Sequence, residues 1–121
     1  MSVPTKPAVD GRTAESLAAL ALGRTDMLEQ AEDLRETLRQ SSGLDPRTFS
    51  LVKLAALVAI DAPPASFLWQ VGAALDSGAA PREILGMLTA IAPQVGLPRV
   101  VAAAPEIMLA LDLELPGGVD R

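Results

Sequence analysis

Lys53 is the one charged side chain in the segment TFSLVKLAALVAI. A lysine drawn out of water there would give up its proton more readily and act as a base or an amine nucleophile. More often such a residue lays its stem on the apolar surface and keeps its ammonium in water. Phe67 and Trp69 offer the walls of an aromatic substrate pocket, with the blander alternative that one packs in the core and the other at an interface. Glu29, Glu32, Asp33 and Glu36 have the helical spacing that brings carboxylates together around a hard cation. Arg35 and Arg39 alternate with them at ion-pair spacing and no Glu-x-x-His set completes a site, so they read as a solvated charged face and no metal is expected.

What is missing narrows the chemistry further. The 121 residues contain no Cys and no His. Thiolate attack, imidazole acid–base catalysis, disulfides and thiolate metal sites are therefore excluded. No glycine-rich dinucleotide fingerprint, phosphate loop or Ser-His-Asp set occurs, so no cofactor is expected. A net charge of -5 with scattered Lys and Arg gives no basic stripe to neutralise phosphates, which argues against nucleic acid as a partner. Only three side chains are aromatic, too few for base-stacking platforms. MSVPTKPAVDGR has no apolar stretch, and the longest apolar run, Leu54 to Ile60, falls far short of the roughly 20 residues that cross a bilayer. The expectation is a cytoplasmic chain with no membrane partner. Half the residues are apolar in a chain too short to bury all that surface, which predicts a homo-oligomer.

These side chains must be held by helices, because no stretch shows strand alternation or a hairpin turn. Residues 1–12, with Pro4, Pro7 and Gly11 among polar residues, read as a flexible arm. A single helical domain is expected over 13–115 and a tail over 116–121. The first helix starts at Thr13 and stops at Gly23; the second starts at Thr25 and runs to Gln40 on the stripe Met27, Leu28, Ala31, Leu34 and Leu38. Asp45 and Pro46 are an N-cap and first position for the third, which is apolar on almost every face. Asp61, Pro63 and Pro64 break it and open a fourth that ends at Gly78. The fifth starts at Pro81 and is ended by Pro93 and Gly96. The sixth opens at Pro98, with Pro105 as an internal kink, and reaches Leu115.

The order of features from Gly43 to Leu113 resembles the carboxymuconolactone decarboxylase family, which includes the alkylhydroperoxidase D-type proteins. It rests on GLDPRTFSLVKLAALVAI, followed by LWQVGAALDSGAAPREILGMLTAIAPQVGLPRVVAA. The resemblance implies an all-α fold, a six-helix orthogonal bundle that assembles as a homo-oligomer (a trimer or hexamer, with a dimer as the alternative), with a pocket near the subunit interface. Redox members of that family carry C-x-x-C and, after three further residues, His. The matching positions here are Pro63, Ser66 and Gln70. Proline has no thiol, an unactivated serine is a poor nucleophile, and an amide cannot serve as a general base near neutral pH. Peroxidase activity is therefore not expected.

Gln70, Lys53 and Ser66 remain the candidate catalytic residues and Trp69 and Phe67 the candidate substrate contacts, in an interface pocket for a small carbonyl or carboxylate compound such as a lactone or keto acid. The structural alternatives are a solvated amide for Gln70 and a first-turn residue for Ser66. The competing role for the whole chain is a non-catalytic oligomeric assembly or partner-binding module.

Overall fold

A computed structural model describes residues 6–22 and 35–118. Among them every regular element is helical: six helices and no strand. The chain forms two compact units, residues 1–38 and 39–121.

In the first unit, α1 spans Gly11–Ala21 and starts two residues before the predicted Thr13. Asp10 is the reason. Its carboxylate accepts from the Thr13 backbone N–H at 2.8 Å and from the Thr13 hydroxyl at 2.9 Å, satisfying donors that the first turn leaves open. Helix α2, Arg35–Ser41, begins in the first unit, ends in the second and holds the end of the predicted second helix. The Thr25 cap, the stripe from Met27 to Leu34 and the carboxylates of Glu29, Glu32 and Asp33 lie outside the described residues.

The second unit is built on four helices: α3 (Pro46–Ala59), α4 (Pro64–Asp76), α5 (Pro81–Val95) and α6 (Leu97–Ala110). Each has proline at its first or second position, where a missing N–H breaks no helical bond. Helix α3 packs against α4, α5 and α6, and α6 also packs against α4 and α5. The core is Leu54 and Val58 of α3, Phe67 and Val71 of α4, Ile84 and Leu88 of α5, and Ala103 and Ile107 of α6, joined by Ala62.

Three of these helices end in the same way. Asp61, Gly78 and Asp112 adopt positive φ, and the following residue's N–H reaches back to the carbonyl of Leu57, Ala74 or Met108. This reversal closes the last turn and turns the chain sharply, so the next helix can fold back on the core. Only Gly78 takes that conformation without a Cβ penalty; the two aspartates tolerate it as short polar residues. At Asp112 it stops α6 at Ala110, short of the predicted Leu115.

Helix α5 departs from expectation in the other direction, continuing through Pro93 to Val95. Proline's fixed φ is helical and its ring removes one bond, the one to the Thr89 carbonyl. Thr89 is exposed, so water can serve that carbonyl. The stop comes at Gly96, φ 90°, which ends α5 and leads directly into α6. Pro105 lies within α6, as expected.

Candidate functional site

Helix α4 carries four of the candidate residues, and its 13 residues sort them by angle. Phe67 falls with Val71 and Ala74 on the buried face and is 2% exposed. Its ring is core, beyond the reach of a ligand at the surface. Trp69 faces away from that core and is 81% exposed, beside Leu68 at 62%. The two aromatic residues thus lie on opposite sides of one helix and do not share a wall.

Ser66 and Gln70 lie one turn apart on a half-buried flank of α4. The Ser66 backbone N–H donates to the Pro63 carbonyl at 3.0 Å, in the first turn of the helix. Gln70 Nε2 donates to the backbone carbonyl of Ser50 on α3 at 3.3 Å. That carbonyl belongs to a residue on the inner face of α3, one turn before Leu54, and Ser50 is itself buried. Ser50 Oγ in turn lies 3.2 Å from Ser77 Oγ, at the end of α4. The flank is therefore a set of polar ties between α3 and α4. Among the described residues no buried side-chain nitrogen or oxygen lacks a partner.

Lys53 is exposed, and its Nζ stands over the Phe49 ring at 5.4 Å from the centroid. A cation over an aromatic face at the surface gains modest attraction and keeps its hydration. The amine is held by its own helix, not aimed toward Gln70.

Ser50 and Ser77 are the polar residues that sequence reasoning missed. The signal was present for Ser50, which precedes Leu54 and Val58 at a spacing of four and so shares their face. Ser77 gave none, since a serine before glycine reads as a helix end.

Charged groups at the helix starts complete the electrostatics. Asp45 accepts from the Thr48 N–H and hydroxyl, both at 2.9 Å, and these bonds hold its carboxyl below the usual aspartate range. Asp10 is lowered in the same way by Thr13, first by its backbone N–H and then by its hydroxyl. Glu83 accepts from the Ala80 N–H at 2.9 Å and pairs with Arg47 at 3.2 Å, tying the start of α5 to that of α3.

The hollows lined by described residues of the second unit include three on α4 or α6. The first, about 410 Å³, is lined by Asp61, Val95, Pro98, Arg99 and Ala102. Another of about 410 Å³ lies over Leu68, Trp69, Gly72, Ala73 and Asp76. Leu68 also borders the third, about 350 Å³, with Pro64, Ala65, Glu106, Leu109 and Ala110. None of the three is lined by Gln70, Ser66 or Lys53.

The sequence that builds these helices matches a known family. The model of the carboxymuconolactone decarboxylase family covers residues 25–107, well over half of the chain. The chain belongs to the carboxymuconolactone decarboxylase family. No curated protein and no solved structure matches it. Pro63 stands at the N-cap of α4, and of Ser66 and Gln70 within that helix it is Gln70 that bonds to α3. No helix among the described residues is long and apolar enough to cross a membrane.

Proposed function

We propose that this carboxymuconolactone decarboxylase family member is a non-catalytic, self-assembling module, in which the family's helical core survives and its reactive centre has become part of the packing. The observation that carries this reading is the Gln70 amide donating to the Ser50 carbonyl. At the position where redox relatives place a proton-transferring His, this chain has a neutral side chain whose N–H is engaged in joining two helices. With no Cys and no His anywhere, nothing in the chain takes over the lost thiol or imidazole step.

Self-assembly is supported by the outer face of α4, where a tryptophan and a leucine lie side by side in the open. Single exposed apolar residues are ordinary on a protein surface, whereas contiguous ones often mark an interaction site.

Two measurements test the reading together. Peroxide consumption with a dithiol reductant should show no protein-dependent rate. A thermal-shift screen against small lactones, keto acids and aromatic acids should give no stabilising hit, because a ligand that binds only the folded state raises the unfolding midpoint by mass action. A hit abolished by Gln70→Ala would overturn the reading and restore a small-molecule site at that flank.

A further inference from the structure

The outer side of α4 is a stripe formed by Ala65, Leu68, Trp69, Gly72, Ala73 and Asp76. Their spacing of three and four keeps them on one side of a helix about 20 Å long. The stripe has an internal symmetry. About a point midway between Gln70 and Val71, Trp69 mirrors Gly72, Leu68 mirrors Ala73, and Ala65 mirrors Asp76.

We propose that this stripe is a two-fold interface, on which α4 of a second copy of the chain lies antiparallel. This rests on the self-assembly proposed above and adds to it the surface and the direction of the pairing. An antiparallel two-fold centred on that point sets each large side chain against a small one. Trp69 of one copy meets the hollow over Gly72 of the other, and Leu68 meets Ala73. The hollow is real space, since a Cβ built on Gly72 meets nothing within 4 Å. Such knob-and-hole complementarity on one surface is what an isologous contact requires.

Charge and area favour the same occupant. Asp76 is the only charged residue of the stripe, and the antiparallel arrangement brings it to the partner's first turn of α4. That end carries the positive pole of the helix and has no side-chain cap. A parallel arrangement would instead set the two Asp76 carboxylates side by side. Trp69, 81% exposed, alone leaves about 200 Å² open. With Leu68 at 62% exposure beside it, the stripe is a contiguous apolar patch of the kind that is often functional. The adjoining hollow at Pro64, Leu109 and Ala110 extends it toward the roughly 800 Å² per partner of a stable interface. A two-fold contact requires an even-numbered assembly, either a dimer or a hexamer built from paired trimers.

Trp69 is the only tryptophan, so its emission reports this face alone. Light scattering and tryptophan emission are read together on the full chain across a dilution series, for the wild type and for Gly72→Arg. Gly72→Arg fills the hollow without touching the core, and circular dichroism confirms that it stays folded; Ala73→Arg serves if it does not. The expected result is an even-numbered wild-type assembly with blue-shifted emission that moves to the red as it dissociates. The variant should show at least a roughly tenfold weaker association and red-shifted emission throughout. An assembly that survives Gly72→Arg, or whose Trp69 emission stays red, overturns the α4 interface while leaving self-assembly standing. A strict trimer also overturns it. A monomer at every concentration overturns both, and so does a monomer whose emission shifts to the blue only on adding a small apolar ligand.

Discussion

The two faces of α4 are made of the same kinds of residue and have opposite fates. Phe67, Val71 and Ala74 look inward and are almost wholly buried, while Leu68 and Trp69 look outward into solvent. The inner face meets α3 and α6, which supply complementary side chains within the chain. The outer face has bulk and hollow side by side, the surface on which a second copy is proposed to lie. On that proposal a helix apolar on both sides has two partners, one within the molecule and one outside it.

The contrast predicts a wide gap between mutations only a few residues apart. Phe67→Ala should lose about 3–5 kcal/mol by leaving a cavity in the core. Val71→Asp, which buries an unpaired carboxylate, should abolish cooperative unfolding altogether. Trp69→Ala should leave the stability of the isolated subunit within about 0.5 kcal/mol, as surface substitutions do, and weaken association instead. Denaturant unfolding at low protein concentration separates the two effects. Equal losses at Phe67 and Trp69 would erase the distinction between the faces.

The flank between them should give intermediate values. Gln70→Leu and Ser50→Ala should each cost about 1 kcal/mol, the net worth of a hydrogen bond in a partly buried setting. In a double-mutant cycle Ser50→Ala should couple with Ser77→Ala, whose hydroxyl it meets, and weakly with Gln70→Leu, which bonds to the Ser50 backbone. If Gln70→Leu costs nothing, the amide is not a brace and the flank is free for ligand.

The helix caps should matter least at neutral pH and show themselves in acid. Asp45 has its carboxyl lowered by Thr48, so its contribution is complete above the ordinary aspartate value and is lost as pH falls below about 4 through the folded-state value. Asp45→Asn keeps the capping geometry and removes the titrating group. The variant's unfolding midpoint should fall less steeply than the wild type's over that range. Asp10→Asn should behave likewise for α1 alone, read by far-ultraviolet circular dichroism.

How far the sequence announces all this depends on whether a feature is local. Asp45 and Pro46 open α3 where expected, because a cap and a first-turn proline act within four residues. The break at Asp61, Pro63 and Pro64 is legible for the same reason. Asp10 reads as part of an arm because it stands among prolines and glycine, though its bonds to Thr13 make it a cap. Pro93 reads as a stop, yet a proline near the end of a helix costs only one bond, and the actual stop belongs to Gly96. Leu113 and Leu115 keep the apolar pattern going past Asp112, whose left-handed backbone no periodicity reveals.

The site is less legible than the fold. Spacing places Gln70 and Ser66 on one side of α4, but whether that side meets a pocket or another helix depends on α3, 20 residues away at Ser50. The pair Phe67 and Trp69 is recognisable as aromatic payload, and only the position of the core decides which one is left outside. Lys53 shows the same limit, since the Phe49 ring one turn earlier holds it at the surface.

Antiparallel cover of the outer face of α4 by a second copy is directly testable because the chain has no cysteine. Leu68→Cys and Ala73→Cys chains, each labelled by a different mass tag, are mixed and oxidised. The antiparallel pairing predicts that the mixed disulfide, joining a Leu68→Cys chain to an Ala73→Cys chain, dominates. Preferential linkage of Leu68→Cys chains to one another, or no linkage above that of an Arg82→Cys control at an exposed position, would contradict it.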